Sequence, residues 1–239
     1  MAGLVRVGCL REKNKMAFVS NAEEIARAAM SSINLSLADR YAGVIRFLAS
    51  YPGAASAMRG SSAPTIGSAE YVRRQASAFA SARDSRAPQA PSTVPDEMVS
   101  VILVSYFGIA NSDVERVKRE HLLSMGAENM VGDLLERYLA SVLEPHGWIW
   151  CSGSMVKAVD FIKPSVGTAW RLLQVKNRDN SENSSSSAIR VGTEIEKWHR
   201  TFSRRAGSNW AAFPDPALRA LLSEDALKSF VRAYLGSLS

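Results

Sequence analysis

Four residues have types and spacing suited to phosphodiester chemistry: Glu136, Asp160, Gln174 and Lys176. Asp160 follows the apolar run Met155-Val156-Lys157-Ala158-Val159, and Gln174 and Lys176 sit two apart in Leu172-Leu173-Gln174-Val175-Lys176. If both segments are strands, the two-residue period sets Gln174 and Lys176 on one face. The residues between Asp160 and Gln174 allow a short connection between neighbouring strands. Hydrolysis of a phosphodiester calls for a hard cation that polarises the phosphate and activates water. Magnesium takes oxygen ligands in octahedral geometry and keeps several waters. Asp160 offers a charged oxygen, and the side chain of Gln174 or the carbonyl of Val175 offers a second. Lys176 can orient the attacking water or stabilise charge developing on the phosphate.

These residues need a helix, a strand pair and a further helix to hold them. The spacing predicts a helix over about 128–144, with an apolar arc of Met130, Val131, Leu134, Leu135, Tyr138, Leu139, Val142 and Leu143. Glu136 falls just past the Leu143 edge of that arc, where it can point along the sheet towards Asp160. Glu128, at the start of the helix, and Asp133, further out, rank below it. Strands are predicted over 154–162 and about 169–176, and a basic helix over 193–205. A separate charged helix, 113–125, is expected to close at Gly126.

The preceding chain reads differently. Residues 1–95 are Ala-rich with helical spacing, including helices that start near Ser20, Ser36 and Ser68. Residues 84–96 carry Pro88, Pro91 and Pro95 among small polar residues and read as a linker. The expected division is a helical N-terminal region, 1–95, and a catalytic core with C-terminal helices, 96–239. Met98 to Ile109 is ambiguous between strand and helix.

Composition narrows the class. The formal net charge is +6 and the pI about 9.5, which suits a polyanionic partner. Cys9 and Cys151 lie in no CxxC or Cys/His cluster, so no zinc site is implied, and two isolated thiols fit a reducing cytoplasm. No apolar run approaches the ~18 residues of a membrane span, and the N-terminal stretch lacks the pattern of a signal peptide. His121, His146 and His199 lack metal-pair spacing.

A helix Glu followed by Asp-x13-(Asp/Glu/Gln)-x-Lys across a hairpin resembles the PD-(D/E)xK nuclease superfamily. Here Val159 stands where Pro is commonest and Gln174 where an acid is commonest. The second departure lowers the negative charge of the site. Between Gly132 and Arg200, the string from Gln174 through Ser187, with Lys197-Trp198-His199-Arg200 downstream, resembles SinI-type restriction endonucleases. The resemblance implies an α/β restriction-endonuclease-like core, a central mixed sheet flanked by helices, decorated by the N-terminal helical region. It also implies a Mg2+-dependent type II enzyme that cuts double-stranded DNA at a palindrome of the GGWCC kind and leaves a 5′-phosphate. Symmetrical reading of a palindrome calls for a homodimer.

DNA contact is expected from the polar stretch that leaves the second strand: Asn177, Arg178, Asp179, Asn180, Asn183, Ser184, Ser185, Ser186 and Arg190. Asn and Arg pair bidentately with base edges in the major groove. Lys157, Lys197, Arg200 and Arg204 are expected phosphate contacts, which fix register without reading sequence. Trp198 is expected as a packing anchor. Two other readings share these residues: a repair or junction nuclease of the same fold, and a DNA-binding module with a weakened metal site.

Overall fold

The computed structural model describes residues 17–165, 167, 169–179 and 195–238. The chain divides into two units, 1–77 and 78–239. In the first, helices α1 (Ala22–Ser31) and α2 (Ala38–Ser50) pack side by side, followed by α3 (Ala69–Ser81), whose last turn belongs to the second unit. On α2 the buried residues Tyr41, Val44, Ile45 and Leu48 follow the helical spacing of the sequence, whereas α1 buries Ala22, Ala26 and Met30 and leaves the spaced set Ile25, Ala28, Ala29 and Ile33 half-buried or exposed. The hydroxyl of Tyr41 donates to the Val72 carbonyl, tying α2 to α3.

The second unit contains α4 (Glu97–Ser105), α5 (Val114–Leu143), α6 (Glu224–Gly236) and a four-stranded sheet. The strands are β1 (Ile149–Trp150), β2 (Phe161–Pro164), β3 (Trp170–Arg178) and β4 (Ile195–Thr201), in that order across the sheet. β1/β2 and β2/β3 are antiparallel, and β3/β4 is parallel. The mixed sheet flanked by helices agrees with the expected restriction-endonuclease-like core. Leu135, Tyr138, Leu139 and Leu143 of α5 form one core with Leu173 and Val175 of β3, Trp198 of β4, and Trp210, Phe213 and Leu227. Trp198 lies 5.0 Å from Trp210 and 5.2 Å from Phe213 by ring centroids, so it is the packing anchor expected. Burial of each such side chain contributes roughly 1.5–3 kcal/mol.

Three local expectations are corrected. Residues 113–125 and 128–144 form one 30-residue helix, α5, not two. Gly126 does not cap a helix: a Cβ there would meet the Gln89 carbonyl oxygen at 2.6 Å, so this glycine lets the 84–96 segment approach the helix closely. That segment is also held elsewhere, with Arg86 N–H donating to the Tyr234 hydroxyl at 2.7 Å.

The strand expected over 154–162 is mostly replaced. Ser152–Ser154 is a 3-10 turn, Lys157 and Ala158 form a turn with Ala158 at φ 57°, and β2 begins only at Phe161. Met155 and Val156 are buried in succession, which a half-exposed strand does not allow.

The helix expected over 193–205 is strand β4. Ile195, Trp198 and Thr201 are β-formers, and only Trp198 along it is fully buried. The basic residues that suggested a helical face are instead divided between the two faces of the sheet. Met98 to Ile109 resolves in favour of helix α4 over most of its length.

Among the described residues, no helix is long and apolar enough to cross a membrane.

Candidate active site

β2 and β3 stop pairing as they run past Phe161↔Leu173, and Asp160 sits where they part. Its N–H donates to the Leu173 carbonyl at 2.9 Å, and its carbonyl accepts from Cys151 N–H at 2.8 Å. Its side chain then takes the place of the next ladder partner: Oδ2 accepts the Val175 N–H at 2.7 Å. The side chain of an otherwise strand-like residue is thereby fixed against the edge of β3.

Glu136 reaches the same edge from α5. Its Oε2 accepts from the indole Nε1 of Trp150 at 2.9 Å. Trp150 is itself held by the guanidinium of Arg83, which lies 4.9 Å over its ring and donates to its carbonyl at 2.9 Å. Arg83 is paired with Glu144 at 2.8 Å. Sequence spacing does not single out Trp150, because nothing in it reveals which way an indole N–H points.

Burial, and then the charge of Asp160, push the Glu136 carboxyl up to about 8, with Lys176 a smaller opposing influence. Burial also raises Asp160, to about 6, against the lowering effects of the Val175 N–H and Lys176. Two carboxylates and one ammonium therefore influence one another at this edge. Glu136, Val175, Lys176, Asn177 and Arg178 line an open cleft of about 480 Å³ with Glu128, Asn129 and Gly132. Asp133 is engaged elsewhere: it accepts from Arg137 Nε at 2.7 Å. Glu128, the other competing acid, does line the cleft.

Gln174 is 2% exposed and lies opposite Lys197 in the β3/β4 register, while Lys176 lies opposite His199. Strand alternation sets Gln174 and Lys176 on one face, and Leu173 and Val175 on the other, with the core.

The model of the SinI restriction endonuclease family matches residues 22–237. The chain belongs to the SinI restriction endonuclease family. It is 50% identical over 221 residues to the type II restriction enzyme Eco47I of Escherichia coli, covering 92% of this chain and 96% of that enzyme. It is 50% identical over 220 residues to the type II restriction enzyme SinI of Salmonella infantis, covering 91% and 96%. Membership bears out the expected enzyme class, a type II site-specific deoxyribonuclease. The match extends well beyond residues 132–200, where the resemblance is legible, into the N-terminal helices.

Within this SinI-family chain the residues expected to contact DNA fall into three groups. Arg178 lines the cleft, Arg204 is exposed, Lys157 is half-buried in the turn before Asp160, and Lys197 lies beside Lys176, where burial and that neighbouring charge lower its ammonium. Asn177 and Arg200 are joined to each other: Asn177 Oδ1 accepts from Arg200 Nε at 3.0 Å and Nη2 at 2.9 Å, and Arg200 Nη1 pairs with Glu224. Asp179 accepts the Ser203 N–H at 2.8 Å, and the Ser203 hydroxyl together with that N–H holds its carboxyl below the usual range. Asn180, Asn183, Ser184, Ser185, Ser186 and Arg190 lie outside the described residues.

Proposed function

We propose that the chain hydrolyses both strands of duplex DNA with Mg2+ at a short palindrome of the GGWCC kind, using Glu136, Asp160, Gln174 and Lys176. The observation that carries this is one cleft lined by Glu136, Lys176 and Val175, with the Asp160 carboxylate held on the Val175 N–H, in a chain half identical to two type II restriction enzymes. The GGWCC-like site rests on the family resemblance.

The donor set fits a hard dication. Burial opposes the ionisation of both carboxyls, and a dication held by them would relieve that opposition. The carbonyl of Val175 leaves β3 on the same edge as its N–H, which meets Asp160. Asp160 and the Val175 carbonyl are therefore the best-supported ligands with Glu136. Gln174 is the less direct candidate, since its buried side chain is not among the residues that line the cleft, as Lys176 on the same face is. When bound, Mg2+ supplies charge at the scissile phosphate and a water acidified enough to attack.

The protein's own groups do the rest. The Val175 N–H fixes one oxygen of Asp160 and leaves the other to serve the cation. Trp150 Nε1–H aims Glu136 into the cleft. Lys176 donates hydrogen bonds to the attacking water or to the phosphate oxygen as charge grows on it. Arg178 and Lys197 hold the flanking backbone. Cutting two strands needs two such sites, and each chain carries one, which supports a two-fold homodimer.

The test is plasmid cleavage in Mg2+ by the wild type and Asp160→Ala, with binding followed by mobility shift. Discrete fragments from the wild type, and binding without cleavage in the variant, are expected. Full cleavage by Asp160→Ala sinks the site. Smearing or branched-substrate cutting favours a repair nuclease, and binding without any cutting favours a DNA-binding module.

A further inference from the structure

The α4–α5 hairpin carries a surface that the site does not use. Residues 97–105 read Glu-Met-Val-Ser-Val-Ile-Leu-Val-Ser, apolar nearly all round. A helix of that kind is ordinarily buried, yet no residue of α4 is buried. One side of it leans on α5, where Val99, Leu103, Val117 and Leu122 line a groove of about 470 Å³. The other side faces outward. Met98, Val101, Ile102, Tyr106 and Phe107 are each at least half exposed, Tyr106 at 82%.

We infer that this outer face of α4, with the Tyr106–Phe107 tip, is where two copies of this chain meet about a two-fold axis. The inference rests on the reading that both strands of a palindrome are cut, since that reading requires a second copy.

Three observations support this occupant. The five side chains expose on the order of 600 Å², most of the ~800 Å² that one partner contributes to a standard-size interface and at the top of the range for monomers. The face is also self-complementary by spacing. Antiparallel packing of α4 on its copy, with the axis between residues 101 and 102, sets Val101 against Ile102 and Met98 against the Ser105–Tyr106 end. Two hairpins joined this way form a four-helix bundle. Finally, the exposed flank on α5 mixes both signs, Glu115, Arg116, Arg119 and Glu120. A DNA or anionic membrane surface would call for a single positive sign, whereas mixed charges suit isologous pairing. α5 also carries Glu136, fourteen residues beyond Leu122 and so roughly 20 Å along the same helix. One rigid element thus spans the proposed interface and the cleft.

Sedimentation of the full chain, without DNA or metal, tests this. The wild type is expected as a dimer at micromolar concentration. Ile102→Lys, which sets two charges at the axis, is expected to raise the dissociation constant at least about 100-fold while leaving the circular dichroism spectrum unchanged. Hydrogen exchange on the wild type supplies a measurement independent of the variant's folding, with amides of residues 97–107 losing protection on dilution. A wild-type monomer at ~100 μM overturns the interface, whatever the enzyme cleaves. So does a dimer whose 97–107 exchange ignores dilution, or a folded Ile102→Lys that stays dimeric. A wild-type dimer that cleaves nothing in Mg2+ overturns the nuclease reading and leaves the interface standing.

Discussion

Asp160 Oδ2 lies 2.7 Å from the backbone nitrogen of Val175, a contact that uses a carboxylate as the last rung of the β2/β3 ladder. The same group thus serves the fold and the proposed chemistry. Asp160→Asn separates them. It keeps an oxygen for the Val175 N–H and removes the charge. Cleavage is expected to fall at least about 1000-fold with little change in melting temperature. Asp160→Ala also strands the amide, so a further ~1–3 kcal/mol of stability is expected to go. Equal stabilities for the two variants would count against the ladder role.

The Asp160–Glu136 pair sets a pH dependence whose sign is fixed. Both carboxyls are raised, Glu136 to about 8 and Asp160 to about 6. The folded protein without metal therefore holds protons that the unfolded chain releases near pH 4. Stability is full below that pH and falls as pH rises towards 8. A loss of about 2 kcal/mol between pH 5 and 8 is expected, allowing for partial solvation of Glu136. Mg2+ is expected to restore it, and cleavage is expected to rise over the same range. Glu136→Gln removes most of the pH slope and the response to Mg2+. Calorimetry across pH, with and without the ion, reads all of these, and a stability that climbs from pH 5 to 8 without metal would refute the pair.

The spacing of the candidate site was legible in the sequence because Asp-x13-Gln-x-Lys is a local pattern on adjoining strands. The helix arc of α5 likewise places Glu136 at its boundary, because amphipathic spacing survives in one dimension, but that spacing alone does not choose it over Glu128 and Asp133. What stayed hidden depends on contacts distant in sequence. Lys197 and Arg200 look like a basic helical face until Trp198 is seen to need the β4 position between Val175 and Trp210. Gly126 looks like a helix stop, because no local pattern shows that Gln89 comes to lie against it. Asn177 and Arg200 looked like two DNA contacts, and the structure joins them to each other.

Gly126→Ala sets two magnitudes against each other. Helix propensity alone favours the alanine by about 1 kcal/mol. The added Cβ, however, would meet the Gln89 backbone oxygen at 2.6 Å, and overpacking against backbone costs roughly 1–3 kcal/mol. Packing is expected to win, lowering the melting temperature. A higher melting temperature would mean that the 84–96 segment yields freely.

Arg137 ties residues 82–84, at the entry to that segment, to α5. It is buried, donates to the carbonyls of Ala82, Arg83 and Asp84 at 2.8–2.9 Å, and pairs with Asp133. Arg137→Ala leaves those groups without their donor and is expected to cost about 3–5 kcal/mol. Arg137→Lys cannot reproduce the planar fork and is expected to recover less than half of that. Denaturant titration measures both, and a Lys variant equal to wild type would show that charge alone suffices.

Lys176 and Lys197 share a sheet face, one in β3 and one in β4, but they are expected to fail differently. Lys176 lies in the cleft, where its charge acts on both the Glu136 and Asp160 carboxyls. Lys176→Met is expected to lower the single-turnover cleavage rate by 10²–10⁴-fold while leaving DNA affinity within about threefold, because charge stabilisation there matters most in the transition state. Lys197 is opposite Gln174, two residues back from the Lys176–His199 pair. Lys197→Met is expected to weaken binding across sequences and reduce the slope of log affinity against log salt by about 1, with the bound-state cleavage rate little changed. Salt-dependent binding combined with single-turnover cleavage distinguishes the two. If Lys197→Met slowed the bound-state cleavage rate as much as Lys176→Met, the ammonium pair would have to be treated as one catalytic unit.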